Sequence, residues 1–167
     1  MNRSILSFLF LTMTWLTAQA QVQLPKVYDE SLDPMQQIDD ALAAARQSDK
    51  FVVCQIGGNW CPWCLKFADF ISHDSDISAL IEQHFIYIHV DYNPRRSAGE
   101  AKKQQAEAIQ QRLGRPARFG FPVLVVLNQQ GDVVHIQDSG LLEEGEGYNK
   151  DKVARFFRNW TPQAVNP

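Results

Sequence analysis

Phe51-Val52-Val53-Cys54-Gln55-Ile56-Gly57-Gly58-Asn59-Trp60-Cys61-Pro62-Trp63-Cys64 is the stretch on which the fold turns. Phe51 to Ile56 is a short, β-branched, apolar run, which reads as a strand buried on both faces. A Gly57-Gly58-Asn59-Trp60 link follows. A helix then starts at the cysteine pair, with Pro62 at an early position where its missing N–H costs no hydrogen bond. Leu65, Ala68 and Ile71 carry that helix to about His73. Cys61 therefore falls at a helix N-terminus, where unpaired backbone N–H groups and the helix dipole favour a thiolate. A second cysteine one turn further on completes the core of a dithiol–disulfide exchange site.

The elements around this stretch set the class. Asp33-Pro34 supplies an N-cap and an N1 proline. Met35, Ile38, Ala41, Leu42 and Ala45 then predict a helix to about Gln47. Ser75-Asp76 is expected to cap a short helix ending near His84. Phe85 to Asp91 alternates as a strand. Asn93-Pro94 turns the chain, and Ser97 to Leu113 reads as a polar surface helix closed by Gly114. Arg115 to Gly120 reads as a loop. Pro122 to Leu127 and Asp132 to Ile136 form a hairpin around Asn128–Gly131. Val153, Phe156, Phe157 and Trp160 give a last helix a strong apolar stripe, and Pro162 ends it. Strands separated by helices imply parallel pairing, and the final hairpin adds an antiparallel pair. The fold class is α/β, a mixed central sheet flanked by helices with an extended helical middle segment.

Residues 1–20 read as a secretory signal peptide: Arg3, then an apolar stretch from Ile5 to Leu16, then the small-x-small ending at Ala20. The stretch is too short for a stable transmembrane helix. A chain beginning near Gln21 is thus expected in the periplasm or outside the cell, where disulfides persist. Residues 21–33 form an arm, 34–162 one domain and 163–167 a tail. With 16 Lys and Arg against 19 Asp and Glu, net charge −3, there is no basic footprint for nucleic acid or anionic lipid. Three cysteines are too few for a disulfide scaffold. Two sit at redox spacing, and a bridge closing so short a loop restrains the unfolded chain little, so a structural role fits poorly.

Trp60-Cys61-Pro62-Trp63-Cys64 after a buried strand, followed far downstream by Gly120-Phe121-Pro122-Val123-Leu124 and Gly131-Asp132, resembles the thioredoxin superfamily, specifically its exported members with a longer middle segment. The resemblance covers about Pro34 to Trp160. It implies a thioredoxin-like fold in which Cys61 is the nucleophile and Cys64 resolves the mixed disulfide. Trp60, Pro62 and Trp63 would shape the site. Phe121-Pro122 would be its opposite wall, with Pro122 in the cis form, pairing with an extended substrate and denying a metal ion the site. In one respect the chain departs from the family: many thioredoxins hold a buried acid six residues before the nucleophile as a proton relay, and here that position is Gln55. Glutamine hydrogen-bonds but takes no proton.

The implied activity is thiol–disulfide exchange with cysteine-containing proteins, together with a membrane or soluble redox partner and neither cofactor nor metal. The two residues between the cysteines tune thiolate stability. Tryptophan at 63 cannot hydrogen-bond the sulfur as histidine could, so a less extreme oxidant than a Cys-Pro-His-Cys site is expected. The alternative is a binding module of the same fold, a chaperone, assembly factor or Cu(I) carrier, whose thiols do not turn over. Cys54 reads as a buried core thiol rather than a third redox partner. His73, His84, His89 and His135 fit no zinc spacing. The Leu141–Gly147 segment reads as a solvated acidic connection, and Arg115 and Arg118 as loop charges.

Overall fold

The computed structural model describes residues 24–166; the signal peptide expected at 1–20 lies outside them. Helix α1 (Pro34–Ser48) begins where the Asp33 carboxylate accepts from the backbone N–H groups of Met35 and Gln36 at 2.9 and 3.0 Å. This satisfies two of the donors that a helix start leaves unpaired. It stops at Asp49, which takes a left-handed conformation (φ 55°). Strand β1 (Phe51–Gly57) is buried along its whole length, and α2 (Pro62–His73) follows. Next come α3 (Ser75–His84), capped by Asp74, and β2 (Phe85–Asp91). The long helix expected at 97–113 is divided. A 3-10 turn at Arg96–Ala98 is broken at Gly99 (φ 88°), and α4 runs Glu100–Arg112.

A second 3-10 turn, Pro116–Phe119, leads to β3 (Val123–Leu127) and β4 (Val133–Asp138). The acidic connection is more ordered than expected. It folds into a small hairpin, β5 (Glu143–Glu144) against β6 (Gly147–Tyr148). Helix α5 (Lys150–Asn159) ends before Pro162, which instead opens a short α6 (Pro162–Val165) under a Thr161 cap.

The main sheet has the order β2-β1-β3-β4. The expected parallel pairing holds for β1 with β2, whereas β3 lies antiparallel to β1. Strand β2 ends beside Gly57 and β3 begins beside Ile56, so the connection leaves and re-enters the sheet at the same end and β3 runs back. Alternation along β1 divides the core. Val52, Cys54 and Ile56 pack with α1, Ile109 and Leu113. Phe51 and Val53 face Phe67, Ile71, Phe156 and Phe157. Gln55 points to this second face, a fully buried polar side chain in an apolar strand. Among the described residues no helix is long and apolar enough to cross a membrane.

Candidate functional site

The C-terminal end of β1 delivers the chain to the cysteine pair. Cys61 is the N-cap of α2 in extended conformation (φ −107°, ψ 104°), and Pro62 is the first helical residue. Cys61 Sγ accepts the Cys64 N–H at 3.2 Å, so the sulfur occupies the place where a helix start stabilises negative charge. Cys61 and Cys64 are joined as a disulfide with their Cα atoms 5.2 Å apart. The Phe121–Pro122 peptide bond is cis, and the Phe121 carbonyl oxygen lies 3.7 Å from Cys61 Sγ. Phe121 therefore faces the pair across the site through the carbonyl of that cis bond.

The rim is aromatic and braced by cations. Trp60 donates its Nε1–H to the Tyr92 carbonyl at 3.2 Å and stands edge-on to Phe121, ring centres 5.4 Å apart. The Arg95 guanidinium lies over Trp60 at 4.7 Å. Trp63 stands edge-on to Tyr148 at 5.6 Å, and the Tyr148 hydroxyl donates to the Trp63 carbonyl at 3.2 Å. Lys66 sits 4.7 Å over the Trp63 ring and also donates to the Glu146 carbonyl. The β5–β6 hairpin is thus a brace for Trp63. Arg118 is committed elsewhere: it donates to the carbonyls of Gly114 and Arg115 and covers Phe119.

Beneath the pair lies a polar floor that the sequence pattern gave no reason to assemble. Gln55 Nε2 donates to the Cys64 carbonyl at 3.0 Å and to the Tyr28 hydroxyl at 2.6 Å. Gln55 Oε1 accepts from the Tyr87 hydroxyl at 2.6 Å. The amide can face only this way, because the Cys64 carbonyl is solely an acceptor. Tyr28 comes from the N-terminal arm, which Asn59 pins. Asn59 Oδ1 accepts from the N–H groups of Val27 and Tyr28 at 3.1 Å each, and Nδ2 donates to the Tyr28 carbonyl at 2.8 Å. The His89 ring lies edge-on to Tyr28 and to Tyr87, each at 5.4 Å. Its Nε2 is buried without a hydrogen-bond partner, and burial pushes its pKa down to about 4.

Gly57 closes the floor. A Cβ there would collide with Cys64 Sγ and come within 2.9 Å of the Tyr28 hydroxyl oxygen. Desolvation raises the phenols of Tyr28 and Tyr87 far above their ordinary values, so both stay neutral donors. Cys54 is buried on the opposite face of β1, its thiol pushed up to about 12 by burial. The other histidines are scattered: His73 beside Asp69, His84 beside Phe85, and His135 stacked on Trp160. Among the described residues no three His, Cys, Asp or Glu side chains converge as a metal set would.

A family model named Thioredox_DsbH, described as a protein of unknown function, DUF255, matches residues 14–140. The disulfide bond reductase DsbH of Chlamydia pneumoniae is 27% identical over 94 residues, covering 55% of this chain and 54% of that one. The chain thus matches about half the length of this curated relative. The crystal structure of a disulphide isomerase from Xylella fastidiosa Temecula1 is 28% identical, with a TM-score of 0.64 over 83% of this chain and 98% of that one. A solved DsbH oxidoreductase shares the fold at 20% identity and a TM-score of 0.50, over 90% of this chain and 92% of that one.

Proposed function

Since the chain belongs to the thioredoxin-like DsbH family, we propose that it is an exported thiol–disulfide oxidoreductase exchanging disulfides with cysteine-containing proteins through Cys61 and Cys64. The observation that carries this reading is the position of Cys61. Its sulfur caps α2, takes the Cys64 N–H and faces the Phe121 carbonyl from within an aromatic rim. The names of two relatives, a disulfide bond reductase and a disulphide isomerase, support the same chemistry. Export rests on the signal-like segment at 1–20.

In the reducing direction the Cys61 thiolate attacks one sulfur of a substrate disulfide. A Cys61–substrate bond forms, and the other substrate sulfur leaves as a thiolate with the electron pair. Cys64, having lost its proton, then attacks Cys61 Sγ. The Cys61–Cys64 disulfide forms, and the second substrate sulfur leaves. Two electrons pass from the protein to the substrate, whose two thiolates take up protons from solvent. The oxidising direction runs these steps backwards. A redox partner must restore the starting state after each cycle.

Phe121 and Pro122 form the wall along which an extended substrate segment lies, and Trp60 and Trp63 flank the approach to Cys61, which is 6% exposed. The test is equilibration with a glutathione buffer beside an insulin-reduction assay, each run on wild type and Cys61→Ser. Wild type should equilibrate its pair at a defined potential and Cys61→Ser should not. A potential near about −270 mV identifies a reductase and one near about −120 mV an oxidase. Failure of wild type to exchange with either substrate, or full biological function of Cys61→Ser, would sink the reading.

A further inference from the structure

Tyr28 belongs to the same buried cluster as Cys61 and Cys64. Its hydroxyl and Cys64 Sγ both close on the Gly57 backbone, where an added Cβ would clash with the two of them. The hydrogen bonds of the floor can be assigned proton by proton. The two protons on Gln55 Nε2 go to the Cys64 carbonyl and to the Tyr28 oxygen, and the Tyr87 proton goes to Gln55 Oε1. The Tyr28 oxygen therefore accepts, and its own proton is left over. Among the described residues no side chain or carbonyl takes it. A buried donor without an acceptor is costly. An acceptor would appear once the disulfide opens and Cys64 Sγ, which crowds the same Gly57 backbone, becomes a thiolate.

We propose that Tyr28 is the hydrogen-bond donor that holds the Cys64 thiolate during resolution of the mixed disulfide, the task a buried carboxylate would otherwise assist. The assignment rests on the exchange reading above. In the step concerned, Cys64 gives its proton to solvent and the Tyr28 hydroxyl donates to the bare sulfur. That sulfur then attacks Cys61 Sγ and releases the substrate thiolate, which takes a proton from solvent. Tyr28 keeps its proton throughout, because burial raises its phenol far above the working pH range. A carboxylate would accept and release a proton; this donor is constant.

The surrounding groups agree with a neutral floor. Gln55 on β1 carries no charge. On β2, Tyr87 stays protonated and His89, held down near 4 by burial, is neutral above about pH 5. Asp91 on β2 is paired with Lys102 on α4 at 3.0 Å. Tyr148 on β6 is a neutral phenol whose pKa burial also raises.

The test is stopped-flow mixing of reduced protein with an aromatic disulfide whose thiolate is coloured, such as dithiobis(nitrobenzoate), across pH 5–10. The first coloured thiolate reports Cys61 attack, and the second reports resolution by Cys64. Tyr28→Phe should move the pH midpoint of the second phase up by about one unit. Its rate below the midpoint should fall about threefold and its alkaline plateau rise about threefold, since a more basic thiolate attacks faster. The first phase should not change. Replacing Tyr28 with 3-fluorotyrosine, a stronger donor of the same shape, should move the midpoint down, which guards against a phenylalanine variant that folds poorly. Second-phase midpoints equal to wild type in both proteins would overturn the assignment alone. Absence of the second phase in wild type would overturn the exchange reading and this assignment with it.

Discussion

Cys61 and Cys64 are three residues apart, and each meets a different environment. Cys61 sits at the mouth of a helix, takes a backbone N–H and looks out past Phe121 and two tryptophans. Cys64 is fully buried over a floor of two phenols and an amide. Among the described residues no carboxylate lies within hydrogen-bond reach of either sulfur. In the proposed exchange, backbone dipoles serve the outer thiolate and the Tyr28 hydroxyl serves the inner one. Thiolate chemistry of that kind would depend on fixed neutral donors, whose strength does not change with pH as that of a titrating acid does.

Placing a carboxylate in the floor is the strongest way to break that contrast. Gln55→Glu would set a fully desolvated acid between two phenols and against the Cys64 carbonyl, which favours the protonated form. A group whose folded pKa is raised contributes full stability below its unfolded value, about 4.3, and loses it as pH rises toward the folded value. Stability should therefore fall from about pH 5 upward, by on the order of 4 kcal/mol in total. Urea titrations of wild type and variant at several pH values measure this. Resolution of the mixed disulfide should quicken only where the acid is ionised. Unchanged single-turnover rates at every pH would show that a base at this position has no access to Cys64.

His89 supplies a wild-type version of the same test. Its folded pKa, about 4, lies below the ordinary 6.5. Its contribution to stability is then present above about pH 6.5 and is lost as pH falls toward 4, by on the order of 3 kcal/mol. His89→Phe should flatten this part of the stability-versus-pH curve while leaving Cys61 reactivity unchanged. An equally steep curve in the variant would assign the acid sensitivity to other groups. Gly57→Ala tests the floor by volume instead of charge. The added methyl meets Cys64 Sγ and the Tyr28 hydroxyl, so a loss of about 1–3 kcal/mol is expected from overpacking. A urea midpoint lowered at constant slope would show it.

The outer half of this contrast was readable from the sequence and the inner half largely was not. Cys61, Pro62 and Trp63 announce themselves through a short spacing after an apolar run, and Phe121-Pro122 through its place at the head of a strand. Gln55 was found by its offset from Cys61, but as a gap in a relay rather than the centre of a network. Tyr28 lies in an arm with no periodicity, and it reaches the floor only because Asn59, one residue in a turn, binds its backbone. Tyr87 and His89 look like ordinary members of an alternating strand. Only the parallel register, which sets His89 beside Gln55 and Tyr87 beside Val53, brings them under the pair. The β5–β6 brace escaped for another reason: two-residue strands carry no pattern, and their order comes from Tyr148 packing on Trp63 and Phe67.

Cys54 sharpens the comparison by having neither environment. It lies one residue from Gln55, but the pleat turns it to the other face of β1, among Ile38, Val90 and Val125. Among the described residues no donor faces its sulfur, and burial holds the thiol protonated up to about 12. A thiol that neither ionises nor meets solvent is a poor nucleophile. Alkylation of the folded, reduced protein should therefore modify Cys61 readily and leave Cys54 untouched until denaturant is added. Mass mapping of the oxidised protein should find only the Cys61–Cys64 link. Cys54→Ala should cost about 1 kcal/mol for the lost sulfur volume and leave the reduction potential of the pair unchanged. A shifted potential would mean that the strand transmits packing changes across its own plane, and the two faces of β1 could no longer be treated as independent.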